Sequence, residues 1–230
     1  MNPTTNYLKP FTLVLAFAVL SLAGCGDGGG HHDYGADPAP KYTTQIMSDP
    51  AYDGDIEQVT ATTYAVTQGM STNVQSVFAG IDPVAMTEFR AFLNFPLTGA
   101  KGVPGNAIID TAYLNIYVNT LQPITGTLPI RIELVSFQPP TLIGTDFDRA
   151  SQPPLVYTLA RPAFDRNDVG FNASIDVTSL MVRAQQLNLI DFQVRILEDL
   201  GPAIPVIMEI NDTTGANRAT HAPLLIVTYH

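Results

Sequence analysis

The 230-residue chain has no tryptophan and only one cysteine, Cys25. A single thiol cannot close a disulfide within the chain, so a disulfide-held scaffold is excluded. Charge is scarce too: 14% of residues are charged, where a soluble domain has about a quarter. Disordered chains are rich in charge and poor in apolar residues, whereas this sequence is 46% hydrophobic. Basic residues are the scarcer sign, with 11 Lys and Arg against 21 Asp and Glu and a net charge of −10. No basic stripe offers itself to phosphates, so no nucleic-acid partner is expected. The 17 glycines follow no Gly-X-Y period, which excludes collagen. Stability must come from a packed core, and the chain is long enough to build one.

The N-terminal apolar run is also short. After Lys9, residues 11–22 (FTLVLAFAVLSL) are nearly all apolar, but a membrane-spanning helix needs about twenty such residues. The run suits the apolar core of a secretory signal. Leu22-Ala23-Gly24-Cys25 comes directly after it and resembles the lipobox of bacterial lipoproteins. That resemblance implies that residues 1–24 are a signal peptide and that Cys25 is lipidated, anchoring the protein to a membrane. The expected location is the cell envelope, the outer membrane rather than the inner. Residues 25–54 read as a tether: Gly28-Gly29-Gly30 is pliable, and Pro38, Pro40 and Pro50 stiffen its later part. His31-His32-Asp33 within it lacks the rigid geometry a metal site needs.

Residues 55–230 read as a single all-β domain. Short apolar or alternating runs are punctuated by Gly, Pro, Asn and Asp. Strands are expected over 57–67, 74–81, 87–97, 107–120, 128–137, 155–160, 173–177, 191–197, 206–211 and 224–229. Period-two alternation gives each of two strands an apolar face. Phe89, Ala91, Leu93 and Phe95 share one face, with Glu88, Arg90, Phe92 and Asn94 opposite. Ala112, Leu114, Ile116 and Val118 share another, with Thr111, Tyr113, Asn115 and Tyr117 opposite. Residues 179–188 (SLMVRAQQLN) carry helical spacing instead, with Thr178 or Ser179 available as a cap. The expected fold is a jelly-roll-like antiparallel β-sandwich with one short helix.

Four motifs occur in a fixed order. They are Phe89-Arg90-Ala91-Phe92-Leu93, then Ile108-Ile109-Asp110-Thr111-Ala112-Tyr113-Leu114, then Ile175-Asp176-Val177-Thr178-Ser179-Leu180, and finally Pro223-Leu224-Leu225-Ile226-Val227-Thr228-Tyr229. Together they resemble the DNRLRE (disaggregatase-related) domain family and its relatives among carbohydrate-binding modules. The resemblance covers about residues 55–229. It implies a jelly-roll-like sandwich on surface proteins, often beside polysaccharide-acting enzymes, and it admits a structural calcium. The chain departs from the family in lacking a Trp-Glu element after residues 128–137, where 141–146 read TLIGTD.

Sugars are recognised by aromatic faces and by planar polar groups that meet hydroxyls. Alternation places Tyr113, Asn115 and Tyr117 on one outward face, Arg131 and Glu133 on another strand, and Gln193 and Arg195 on a third. If these strands are neighbours, they form one ligand-binding patch, and its arginines would suit an acidic polysaccharide. Asp53, Asp55 and Glu57, then Asp146 and Asp148, then Asp165, Asn167 and Asp168 are acidic clusters with hard oxygens. They lack the EF-hand spacing and read as turn formers, so no cofactor or metal ligand is assigned. No nucleophile elbow, zinc-protease motif or phosphate loop is present, so the expectation is not an enzyme. The expected partners are the membrane, through Cys25, and a polysaccharide. The alternative is a structural or adhesion module that binds an envelope or extracellular protein.

Overall fold

The computed structural model describes residues 39–138, 140–199 and 205–230. The signal peptide, Cys25 and the first part of the expected tether lie outside the described residues. The compact unit runs from Ala39 to His230. It is an all-β antiparallel sandwich, a strongly curled sheet of twelve strands with little helix. Among the described residues, no helix is long and apolar enough to cross a membrane.

The strands are β1 (Tyr42–Met47), β2 (Gly54–Thr60), β3 (Thr63–Gln68), β4 (Ser76–Ile81), β5 (Glu88–Pro96) and β6 (Ile109–Gln122). They continue as β7 (Ile130–Val135), β8 (Val156–Leu159), β9 (Asn172–Asp176), β10 (Asp191–Glu198), β11 (Ile207–Asn211) and β12 (Leu224–Tyr229). Helix α1 (Thr178–Gln186) and the single turn α2 (Arg218–His221) complete the elements, with a 3-10 turn at Gly144–Phe147. The main path runs β1-β12-β6-β11-β4-β5-β10-β7-β8, with the β2–β3 hairpin on β5 and β9 on β6.

The fourteen-residue β6 is the hinge of the architecture. Its first half pairs with β12 and β9, and its second half pairs with β11. One layer is therefore β1, β12, β6 and β9, and the other is built on β4, β5, β10 and β7. Period-two alternation supplies the core between them. Leu114 and Ile116 of β6, Leu93 and Phe95 of β5, Val194 of β10 and Val227 of β12 all belong to one buried cluster. Leu180, Met181 and Ala184 of α1 close that cluster at one end.

Three expectations need correction. The run 57–67 is not one strand but the β2–β3 hairpin. Its turn is held by Thr60, whose Oγ1 accepts hydrogen bonds from the backbone N–H groups of Thr62 and Thr63. The tether does not extend to residue 54, because β1 lies within it and pairs along its full length with β12. Helix α1 starts at Thr178 rather than being capped by Thr178 or Ser179. The Asp176 carboxylate accepts from Thr178 N, while Thr178 Oγ1 is turned to Ala112 N.

Gly80 is a point where the backbone tolerates no side chain. It has φ +115°, and a Cβ there would sit 2.3 Å from Val206 O, the acceptor for Ile81 N. Gly80→Ala should lower stability by more than about 1 kcal/mol. Gly105→Ala, where a Cβ meets nothing within 4 Å, should stay within about 0.5 kcal/mol. Urea midpoints of the two variants check the contrast.

Candidate functional site

The seven side chains expected to form one patch are split by the topology. Strand β6 is separated from β10 by β11, β4 and β5. Tyr113, Asn115 and Tyr117 therefore sit in one layer, while Arg131, Glu133, Gln193 and Arg195 sit in the other.

The second group does not face water, which corrects the expectation of an open patch. Across β5, β10, β7 and β8, the register places Phe92, Arg195, Glu133 and Tyr157 in one row. The connection 136–155 folds over that row. Leu142 and Phe147 of the connection pack on Ile56 and Phe92 as a second, smaller core. Beneath it Arg195 and Glu133 are both 0% exposed. Arg195 donates through Nε and Nη2 to Glu133 Oε2, at 2.9 and 2.7 Å. It also donates to the backbone carbonyls of Asp146 and Gln152 in the covering segment. Arg149, more exposed, pairs with the other Glu133 oxygen at 2.8 Å. Burial pulls the Arg195 pKa down, and the Glu133 carboxylate opposes that shift. Gln193 accepts from Phe137 N and donates to the Asn94 amide oxygen. Arg131 is held by Asp199 at 2.7 Å, with its guanidinium 4.0 Å from the Tyr157 ring centroid. Arg90 lies over Phe147 and pairs with Glu88. This face is therefore occupied by the protein's own chain.

The first group lies on a face that the described chain covers only at its Tyr117 end, where α2 packs and the Asn172 amide donates to Thr220 O. The register continues it across the layer. Gln45, Ile226, Tyr113 and Asp176 form one row over β1, β12, β6 and β9, and Met47, Leu224, Asn115 and Ser174 form the next. Tyr117 faces Asn172 and packs against His221 of α2, with ring centroids 4.1 Å apart and the planes tilted by 57°. Tyr113 is 39% exposed. The two tyrosines lie four residues apart on one strand, about 13 Å at the usual rise. Asn172, Ser174 and Asp176 were not anticipated as site residues. The alternation of Asn-Ala-Ser-Ile-Asp in β9, with Ile175 buried, is the signal that marks them.

The acidic clusters do not converge. Asp55 accepts from Phe78 N, and Glu57 accepts from the Thr87 hydroxyl. The other loops use their carboxylates on their own backbone, as turn formers do. Asp168 accepts from Asp165 N, and Asp146 from Ile143 N. Among the described residues, no group of three His, Cys, Asp or Glu side chains is placed to hold a metal ion. Asp53 instead meets a distant partner. Its carboxylate accepts from Asn94 N at 2.7 Å and lies beside Asp212, which accepts from the Ser48 hydroxyl and from Arg218.

Burial raises the pKa of Asp53, and the charge of Asp212 raises it further. Burial also lifts Asp55 to about 7 and Asp212 to about 6. These groups hold protons more tightly folded than unfolded, where a carboxyl titrates near about 4. Their effect on stability is therefore lost as pH rises from about 4 towards 7. The lowered carboxyls, Asp110 and Asp148, act only below that window. The urea midpoint should be higher at pH 5 than at pH 8, and Asp53→Asn should flatten the difference. A midpoint that rises with pH would contradict this account.

Glu133→Gln leaves the fully buried Arg195 without a carboxylate and should cost about 3–5 kcal/mol. Arg149→Gln removes a partly exposed partner and should cost under about 1 kcal/mol. Equal losses in urea titrations would show that the buried pair does not hold the covering segment.

No protein-family model matches the chain, and no curated protein matches it.

Proposed function

We propose that the protein is a lipid-anchored protein of the cell envelope, the outer membrane first, whose β-sandwich binds polysaccharide without catalysis. The observation that carries the binding part is the face of β1, β12, β6 and β9, with Tyr113 exposed between Ile226 and Asp176 and with Asn115 and Ser174 in the next row. An aromatic ring can lie against the C–H surface of a sugar, and planar amides can meet its hydroxyls. The resemblance to the DNRLRE family and to carbohydrate-binding modules supports the same reading. The lipobox-like Leu22-Ala23-Gly24-Cys25 supports the anchor. The second reading is a contact with an envelope protein, supported by the edge of β1, which pairs with β12 on one side only among the described strands.

The binding site is tested by affinity electrophoresis of the detergent-purified chain through gels containing polysaccharides. At least one polymer should retard it, and Tyr113→Ala/Tyr117→Ala should remove the retardation. Retardation that survives the double variant would move the site elsewhere. If no polymer acts, the protein-contact reading takes its place. The anchor is tested by phase partition in a cloud-point detergent. The parent chain should enter the detergent phase and Cys25→Ser the aqueous phase; equal partition of the two would exclude lipidation of Cys25.

A further inference from the structure

Recognition of an acidic polysaccharide needs guanidinium or ammonium groups free to meet carboxylates or sulfates. The arginines that the sequence offered for that role are already engaged. Arg195 is closed in with Glu133, and Arg131 is held by Asp199. Both belong to the covered layer, away from Tyr113.

The open face itself carries almost no charge. Asp176 is the charged side chain in the two rows that cross it, and its carboxylate accepts from Thr178 N. At the start of β6, Lys41 lies 3.0 Å from Asp110, which also meets His230, so cation and anion cancel there. Beyond β9, a cleft of about 490 Å³ is lined by both Arg161 and the same Asp176. The chain as a whole carries −10, a field that repels a polyanion before contact.

What the face does offer is neutral. Tyr113 supplies a ring and Ser174 an exposed hydroxyl, the half-buried Asn115 and the exposed Asn172 (whose amide N–H also donates to Thr220 O) supply amides, and the partly buried Ile226 is an apolar floor beside the ring. From this we infer that the face takes an uncharged, hydroxyl-rich polysaccharide, seated on the Tyr113 ring and read by neighbouring amides. The inference rests on the glycan-binding reading and replaces the acidic polymer that the arginines suggested. Its contacts are stacking and neutral hydrogen bonds, which salt does not screen.

The test runs the full chain, in mild detergent, through gels containing neutral polymers (galactomannan, xyloglucan, a β-glucan) or acidic ones (alginate, polygalacturonate, hyaluronan). Each gel is run at low salt and at ~1 M salt, where the Debye length is about 3 Å. A neutral polymer should retard the chain equally at both salt levels. Tyr113→Ala should weaken that retardation at least about tenfold, the loss of about 1.4 kcal/mol expected for a stacked ring. Tyr113→Phe, which keeps the ring, should retain it and so excludes a folding defect at this position. Retardation by acidic polymers alone, abolished by salt, would overturn the inference and leave glycan binding standing. Retardation by no polymer would overturn both.

Discussion

The structure depends on a buried ion pair, Arg195 with Glu133, set directly opposite one another on adjacent strands. Neither charge could stay ionised under apolar cover without the other, since the desolvation cost of each is several kcal/mol. The pair alone does not exhaust the donors of the guanidinium. The remaining ones go to the carbonyls of Asp146 and Gln152, so the arginine is satisfied only when the segment 136–155 lies over it. Charge burial and loop closure are therefore one event. Phe147 and Leu142 bring apolar area to the same closure, packing on Ile56 and Phe92. Gly54 leaves room for it, because a Cβ there would meet Thr67 O at 2.2 Å and Leu142 at 3.0 Å.

That closure makes the two outer faces of the sandwich unequal. A sheet face whose polar groups are satisfied by its own chain has little left to offer a partner. The face across β6 is covered only at its Tyr117 end, where His221 and Thr220 of α2 meet Tyr117 and Asn172, and it keeps the Tyr113 ring exposed. Strand β6 serves both layers, so the residues that fix the fold and those proposed to meet a partner alternate along it. Leu114 and Ile116 are buried in the core, and Tyr113, Asn115 and Tyr117 point away from it.

Alternation made this much legible from sequence. The strands 87–97 and 107–120 were visible because apolar residues at period two need a sheet to bury them, and 224–229 as a short apolar run after a proline. The β2–β3 turn was not, since Thr60-Ala61-Thr62-Thr63 contains no Gly, Pro, Asn or Asp and closes through a threonine hydroxyl. Strand β1 was hidden by the prolines around it and by having only Ile46 fully buried. Alternation also says which side chains share a face, but not whether the polar face stays wet. The clue to the covered face lay in the connection itself. A link as long as 136–155 is uncommon in a compact domain, and Phe137, Leu142 and Phe147 within it needed something to bury against. The separation of Tyr113 from Arg195 had no local signal at all, because strand order is set by long-range pairing.

On the proposed reading, a sheet face with a single carboxylate and one exposed ring would grip one polymer chain weakly. It has no deep pocket to exclude water around a sugar, and each hydrogen bond to a hydroxyl replaces one to water, for a net of about 1 kcal/mol. On the proposed reading the anchor answers that weakness. Many copies held on one membrane surface meet the same polymer, and once one copy is bound the next binds at a raised effective concentration. Shallow, salt-independent contacts then suffice for durable adhesion, while each contact remains free to exchange. A tight pocket on a single copy would need more buried apolar area than the rows through Tyr113 and Asn115 provide. On that reading neutral recognition and surface attachment are one design, in which the face would select the polymer and the anchor would multiply the grip.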